Sequence, residues 1–223
     1  MTEGVKPRRR YDSPHRREQA AQTRRAIVAA AGQLFLARGF TGTTMSDIAV
    51  EAGVVVETLY RSFSGKASLF IAVVEAALAG GVERAELPVE ERPAIAAVIA
   101  EQDPRRQVEL FAATQPGIHR RAGPLLRALR DARGLDPELA KVWDELEAQR
   151  HAGQRRFGQL LASRGSLRPE LSEKNAADII WTLCSLAVHD LLVVERGWPS
   201  VQYGEWLAAT LVRELLPANR HVA

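Results

Sequence analysis

Apolar residues in the first part of the chain recur with the spacing of an amphipathic helix. From Glu18 onward one stripe forms at positions i, i+1, i+4, i+7 and i+8, and it consists of Ile27, Val28, Ala31, Leu34 and Phe35. Gly39 directly follows Arg38, an arrangement that is typical of a helix end, where glycine stops the helix and a cation sits in the last turn. The pattern therefore predicts a first helix from Glu18 to Arg38.

Two short helices are predicted next. Thr44 and Asp47 have the spacing of a capping box, in which the first residue caps the helix and the fourth returns a hydrogen bond. Gly53 then supplies the positive φ that a tight turn requires. The third helix is predicted from Val56 to Phe63. Five apolar residues would hold the two helices at a fixed angle: Ile48, Ala49, Val54, Leu59 and Phe63.

The remainder of the chain also has a helical pattern. Ser64 is expected to cap a fourth helix that weakens at Gly80-Gly81. Further apolar stretches with helical period lie at 93–101, 105–114, 117–132, 138–163, 173–196 and 200–216. No segment alternates between apolar and polar residues as a strand bounded by hairpin turns would. The predicted fold class is all-α, with about nine or ten helices.

Composition narrows the class of protein. Hydrophobic residues make up 46% of the 223 residues, so a sizeable core can form. No apolar run approaches the ~18 residues of a membrane span, and the Arg-rich N-terminus lacks the apolar segment of a secretory signal. The single cysteine, Cys184, excludes an internal disulfide and a cysteine-based metal cluster. We expect a cytoplasmic protein without membrane, metal or cofactor.

Positive charge is concentrated at the N-terminal end. Residues 1–66 carry 11 Lys and Arg against 6 Asp and Glu, a net charge of +5, whereas the whole chain has +3. This asymmetry favours a polyanionic partner for the N-terminal part. A solvated basic tail without a partner fits the charge distribution equally well.

The segment from Thr44 to Phe63 has the dimensions of a helix–turn–helix. In such a unit the second helix enters the major groove of DNA while the first crosses the backbone. Short amphipathic helix pairs with a glycine turn are also common in helical proteins that do not bind DNA, so the spacing alone leaves both interpretations open.

The run from Arg24 to Leu78 closely resembles the N-terminal domain of the TetR family of transcriptional regulators. The matching pieces are Ala30-Ala31, Leu34-Phe35, Arg38-Gly39-Phe40, Thr43-Thr44, Asp47-Ile48-Ala49, Ala52-Gly53-Val54, Thr58-Leu59-Tyr60, Phe63, Lys66 and Leu69-Phe70. The resemblance implies three parts: a flexible basic arm at 1–22, a DNA-binding domain at 23–83 with its helix–turn–helix at about 46–65, and a helical ligand-binding and dimerisation domain at 84–223.

The resemblance also assigns roles in DNA binding. Contacts to bases are implied for the exposed face of the third helix, at Val55, Val56, Thr58 and Arg61. Phosphate contacts are implied for Thr44, Tyr60 and Lys66. The arm residues Arg8, Arg9 and Arg10 would enter the adjacent minor groove or act only as a non-specific electrostatic tail.

Two aliphatic residues depart from the family pattern, which commonly has a serine and a basic or small residue before this helix. Val55 and Val56 stand there instead. Aliphatic side chains donate no hydrogen bonds but can contact a thymine methyl group, so we expect T-rich or weakly specified operator positions beneath them. Arg61 is then the best candidate for a guanine contact.

The C-terminal helices are implied to form a homodimer and to enclose an effector. The predicted dimer interface comprises Ile180, Leu183, Leu186, Ala187, Leu207 and Leu211. The predicted pocket for a hydrophobic small molecule comprises Phe111, His119, Leu125, Leu129, Trp143 and His151. The double-stranded DNA operator is expected to be palindromic, because each helix–turn–helix contacts only a half-site. The charged pairs Arg120-Arg121 and Arg155-Arg156 are expected on solvated faces.

Two other classes of protein compete with this interpretation. No Gly-x-Ser-x-Gly, glycine-rich phosphate loop or His-Glu-x-x-His motif supports an enzyme, and adjacent His189 and Asp190 are expected to face apart on their helix. A helical protein-binding adaptor is not excluded but leaves the basic end unexplained. The family most often represses transcription and releases DNA on effector binding, while activation and effector-independent regulation remain alternatives.

Overall fold

The computed structural model describes residues 14–134 and 137–218, and over these ranges the fold is all-α. The helices are α1 Pro14–Arg38, α2 Met45–Glu51, α3 Val56–Ser62, α4 Lys66–Ala79, α5 Val82–Ala85, α6 Pro93–Ala100, α7 Pro104–Ala132, α8 Pro137–Ser163, α9 Glu173–Leu183, α10 Leu186–His189 and α11 Ser200–Leu215. A 3-10 turn at Val89–Glu91 precedes α6, and a π-helical turn at Asp190–Glu195 extends α10. The predicted fold class is confirmed.

The first helix begins earlier than its apolar stripe suggests. It starts at Pro14 and ends at Arg38, where Gly39 adopts a φ of 70° as a helix stop requires. Residues 14–22, which were assigned to a flexible arm, therefore belong to α1. Arg8, Arg9 and Arg10 lie outside the described residues.

The start of α4 differs from the prediction. Ser64 does not cap this helix; Gly65 is the N-cap residue, and Ser68 hydrogen-bonds its backbone from inside the helix, with Oγ accepting from Gly65 N at 3.3 Å and donating to Gly65 O at 2.9 Å. Ser68, inside the first turn, thus makes the capping hydrogen bond that was predicted for Ser64.

The predicted breaks in the middle of the chain also change. The stretches 105–114 and 117–132 form one continuous helix, α7, which contains Pro116 and Pro124. Conversely, the stretch 173–196 is bent by 40° between α9 and α10. Ser185 begins the new segment, since its Oγ accepts a hydrogen bond from Val188 N at 3.2 Å.

Two clusters of buried residues form the interior. The N-terminal core combines α1 to α4 with the second half of α7 and the first half of α8, through Leu125, Leu129, Leu139, Val142 and Leu146. The C-terminal core contains residues of α6, α7, α8, α9 and α11. Because α7 and α8 contribute to both, the helices of the predicted DNA-binding domain share their core with helices assigned to the C-terminal domain.

Among the described helices, none alone is long and apolar enough to cross a membrane. Two consecutive pairs pass the same criteria of length and composition only when joined across a sharp bend: α3 with α4 at 70°, and α9 with the segment Leu186–Glu195 at 40°.

Candidate functional site

The predicted capping box at the start of α2 is present. Thr44 Oγ1 accepts a hydrogen bond from Asp47 N at 3.1 Å, and Asp47 Oδ2 accepts one from Thr44 N at 3.0 Å. Thr44 Oγ1 also donates to the same carboxylate oxygen at 2.7 Å. These bonds from Thr44 lower the pKa of Asp47 below its ordinary value. Thr44 is exposed, but its hydroxyl and N–H are both engaged in the cap.

The turn between α2 and α3 is formed as expected. Gly53 has a φ of 65°, and Val54 N donates to Ala49 O at 3.0 Å. Leu59 is completely buried and Phe63 nearly so, so the inner side of α3 is fixed against the N-terminal core. The opposite side of α3 is thereby held toward solvent.

Arg24 of α1 fixes the far end of α3, a role that the sequence did not reveal. Its Nη1 donates to Ser62 O at 2.8 Å, and its guanidinium lies 4.1 Å from the centre of the Phe63 ring. The bond satisfies a carbonyl at the helix C-terminus, where a positive charge is also favourable. No pattern in the sequence pairs residues 24 and 62, because they are joined only by tertiary packing.

The outer face of α3 carries side chains of mixed chemistry. Val55, which precedes the helix, and Tyr60 are 65% and 57% exposed. Arg61 is exposed and Thr58 half-buried, with Arg61 Nη2 3.5 Å from Thr58 Oγ1. Val56 was expected on this face, but it is half-buried and packs against the N-terminal core.

A further exposed residue of α3 is Glu57, which the sequence analysis did not single out. An open groove of about 380 Å³, which Glu57 does not line, separates α3 and the turn before it from the first part of α1. Arg16, Gln19, Ala20 and Thr23 line one wall; Val54, Val55, Thr58 and Arg61 line the other. The arrangement places arginines on both sides of a channel next to the exposed face of α3.

Lys66, at the start of α4, is engaged inside the protein. Its Nζ donates to Phe40 O at 3.0 Å and to Thr43 O at 3.1 Å, and it lies 4.3 Å from the centre of the Phe40 ring. Two of the three N–H donors of the ammonium group are therefore used to tie α4 to the loop before α2.

The apolar residues of the predicted effector pocket are divided between the two cores. Leu125 and Leu129 are buried in the N-terminal core, and Trp143 packs against that core. Phe111 lies in the C-terminal core, where it stacks on Phe157 at 4.0 Å. The predicted pocket residues thus contribute to two different cores, because α7 is continuous and its two halves face different clusters.

His119 occupies a buried polar cluster between α7, α10 and α11. Its ring is 5% exposed and stacks on the His189 ring at a centroid distance of 4.5 Å, and the Tyr203 ring lies 5.1 Å from His189. Neither nitrogen of His119 has a hydrogen-bond partner among the described residues, and the same holds for Tyr203 Oη and Gln154 Oε1. Buried polar atoms of this kind require an explanation, since nearly all find a partner in folded proteins.

Burial sets the charge state of this cluster. Loss of hydration lowers the pKa of His119 to about 3, with His189 and the cations Arg150 and Arg127 acting in the same direction and Asp190 against it. Burial also raises the pKa of Tyr203 and raises that of the Cys184 thiol to about 12. His119, Tyr203 and Cys184 are thus neutral at neutral pH.

Asp190 ties α7 to the π-helical turn. Its carboxylate lies 2.9 Å from Arg127 Nη1 and 3.5 Å from Arg130 Nη1. Oδ1 is also 3.3 Å from His189 Nδ1, so the expectation that these neighbours face apart is wrong. The other predicted pocket histidine, His151, is half-buried and lies 3.4 Å from Asp178.

Another arginine of α7 contacts the end of α4. Arg121 Nε donates to Ala77 O at 2.8 Å and Nη2 to Leu78 O at 3.3 Å. Burial lowers the pKa of this guanidinium. Arg121 is exposed, as expected, and it also caps the carbonyls at the end of α4.

Most of the predicted dimer residues lie inside the subunit. Ile180, Leu207 and Leu211 are fully buried, and Leu186 nearly so. They belong to the interior because α9 and α11 pack against α7 and α8 within the chain. Leu183 is half-buried and Ala187 exposed, and the large exposed apolar residues of this region are Leu191, Val194 and Val201.

Residues 27–73 match the family model of bacterial regulatory proteins of the TetR family. The chain is 30% identical over 213 residues to the HTH-type transcriptional repressor BepR of Brucella suis, which covers 90% of this chain and 96% of BepR.

Solved structures share the fold. NalD of Pseudomonas aeruginosa, described as the secondary repressor of the MexAB-OprM multidrug efflux pump, superposes with a TM-score of 0.64 at 24% identity, covering 87% of this chain and 97% of NalD. The fatty acid degradation regulator FadR of Bacillus halodurans superposes with a TM-score of 0.63 at 16% identity, covering 89% and 97%. With a full-length relative at this identity and a helix–turn–helix in place, the chain belongs to the TetR family and is a DNA-binding transcriptional regulator, not an enzyme.

Proposed function

We propose that the protein is a cytoplasmic repressor that binds a palindromic operator as a homodimer and leaves it when a small molecule binds. The observation that carries the proposal is the rigid α2–α3 unit, whose outer helix face is held toward solvent by Leu59, Phe63 and Arg24. Repression is supported by the similarity to BepR, which is a transcriptional repressor.

Base contacts are assigned to the exposed side chains at α3. Arg61 presents a guanidinium that fits guanine O6 and N7, and the exposed Val55 fits a thymine methyl group. Thr58 completes this set, whereas Val56 supports the helix from its inner side. Tyr60, which is exposed at the same helix, is assigned to a phosphate.

Backbone contacts are assigned to the residues that flank α3. The groove beside α3 is lined by Arg16 and Arg61, whose positive charges attract phosphate. The arm residues Arg8, Arg9 and Arg10 would extend that contact. Lys66 is assigned to a phosphate, because one N–H donor remains beyond its two bonds to backbone carbonyls. Thr44, which is exposed at the start of α2, is also assigned to a phosphate.

Residues 23–83 are assigned to DNA binding, and 84–223 to dimerisation and effector binding. The dimer surface is assigned to the exposed apolar residues near the π-helical turn, namely Ala187, Leu191, Val194 and Val201. Exposed apolar side chains this close to one another along the chain are typical of a surface that another protein covers. A two-fold dimer presents two α3 helices to successive major grooves.

The effector is assigned to the buried polar cluster. Its unpartnered atoms on His119 and Tyr203 could be satisfied by a ligand with hydrogen-bonding groups, and the stacked rings around them suit an aromatic or other flat apolar body. The ligand is therefore expected to be uncharged and partly polar rather than purely hydrophobic. Arg121, two residues beyond His119, contacts α4 and would connect the effector site to the DNA-binding helices. The free energy of coupling between two such binding sites is typically ~1–3 kcal/mol.

Selection of binding sites from a random duplex library tests the proposal. The full chain is expected to enrich a palindrome whose half-sites lie one helical turn apart, roughly 10 base pairs from centre to centre, or a multiple of that. Thymine should be common beneath Val55. Enrichment of an isolated half-site would contradict the dimer, and enrichment of no sequence would contradict operator binding.

A further inference from the structure

Glu57 is an exposed carboxylate on the helix that carries the base contacts. It occupies the second position of α3, two residues after the exposed Val55 and one before Thr58. Among the described residues, no hydrogen bond or ion pair engages it. Arg61 stands at the i+4 position where helical ion pairs form, yet its Nη2 lies 3.5 Å from Thr58 Oγ1 instead.

The carboxylate of Glu57 lies on a helix face that is proposed to approach negatively charged DNA, so a compensating interaction is expected. Near the start of a helix it is favoured by the helix dipole, but on the face that approaches DNA it is repelled by the phosphates. A hydrogen bond to a base would offset that repulsion. An ionised carboxylate only accepts hydrogen bonds, and the matching major-groove donor is the N4 amino group of cytosine.

We propose that Glu57 is a specificity-determining residue whose carboxylate accepts a hydrogen bond from cytosine N4 at one base pair in each half-site. The inference rests on the proposed contact of α3 with the bases. Adenine also presents an amino group, but its neighbouring N7 is an acceptor and repels a second carboxylate oxygen. The residue therefore favours C·G over A·T, whereas the neighbouring Val55 favours a thymine methyl group.

Changing the carboxylate to an amide is expected to change the preferred base. Glutamine has a donor as well as an acceptor and pairs with adenine N6 and N7, so Glu57→Gln should move the preference at that single pair from C·G to A·T. Glu57→Ala should remove the preference there. In each variant the wild-type preference for C·G over A·T at this pair, which is roughly 10-fold or more in affinity, should be lost.

The experiment compares sites selected from a random duplex library by the wild-type chain and by E57Q, E57A and E51Q. Glu51, at the end of α2, is also exposed and carries the same charge, so E51Q controls for reduced repulsion from phosphate. Only E57Q and E57A should change the selected sequence, and only at one pair in each half-site. A sequence logo identical to wild type, with a uniform gain in affinity, would overturn the inference but not the proposed function. A wild-type chain that selects no sequence would overturn both.

Discussion

Replacing Leu191 and Val194 together by glutamate is expected to convert the dimer into monomers and to weaken operator binding by roughly 100-fold or more. Both side chains are more than half exposed in the subunit, so the change removes little from its interior, and exposed substitutions usually alter stability by less than about 0.5 kcal/mol. A two-fold interface is formed by the same surface of both subunits, so the double variant would bring four new carboxylates into it, which opposes association. A monomer contacts only one half-site. It therefore loses the increase in affinity that comes from binding two half-sites at once, which reaches ~10²–10⁴-fold.

Leu36→Glu is the matched control for this variant. Leu36 is a leucine of α1 that is 55% exposed, compared with 53% for Leu191, and it lies far from the π-helical turn in sequence. Sedimentation equilibrium should report a dimer for the wild-type and Leu36→Glu chains and a monomer for the double variant. A double variant that remains dimeric would place the interface on another surface.

Lowering the pH below 6.5 is expected to destabilise the protein through His119. The pKa of this residue falls from 6.5 to about 3 on burial, so between these values the unfolded chain binds a proton that the folded chain does not. The stability that the neutral ring provides is complete above pH 6.5 and is lost as the pH falls toward about 3. One proton of difference corresponds to about 1.4 kcal/mol per pH unit.

Urea unfolding at fixed protein concentration, repeated between pH 7 and pH 4, measures this dependence. His119→Gln cannot be protonated, so its loss of stability with falling pH should be shallower than that of the wild type by about 1.4 kcal/mol per pH unit. His151→Gln, which alters a half-buried histidine of α8, should keep the wild-type slope. Parallel slopes for wild type and His119→Gln would show that His119 is protonated in the folded protein.

The helix–turn–helix could be predicted because its determinants are local. Thr44 and Asp47 cap α2 across three residues, Gly53 supplies the turn, and Leu59 and Phe63 lie one helical turn apart on the inner face of α3. Each of these interactions joins residues only a few positions apart, so the sequence pattern is enough to predict the helix–turn–helix.

The C-terminal residues were harder to place because their surroundings are set by packing between distant helices. Helical period identifies an apolar stripe but not its partner, and Ile180 and Leu207 were therefore assigned to a dimer surface although they are fully buried in the subunit. The stretches 105–114 and 117–132 were separated in the prediction, but α7 runs through both and contains Pro116 and Pro124. The contact of Arg121 with α4 joins residues 44 positions apart, and no local pattern predicts it.

The salt dependence of binding to a selected operator tests most directly the claim that the α3 face binds DNA. The logarithm of the affinity should fall linearly with the logarithm of salt concentration, with a slope near −0.9 for each phosphate contacted, and the selected duplex should be preferred over random duplex by roughly 10³-fold or more. Arg61→Ala should reduce that preference. An affinity that does not change with salt, or that is equal for selected and random duplexes, would contradict the account.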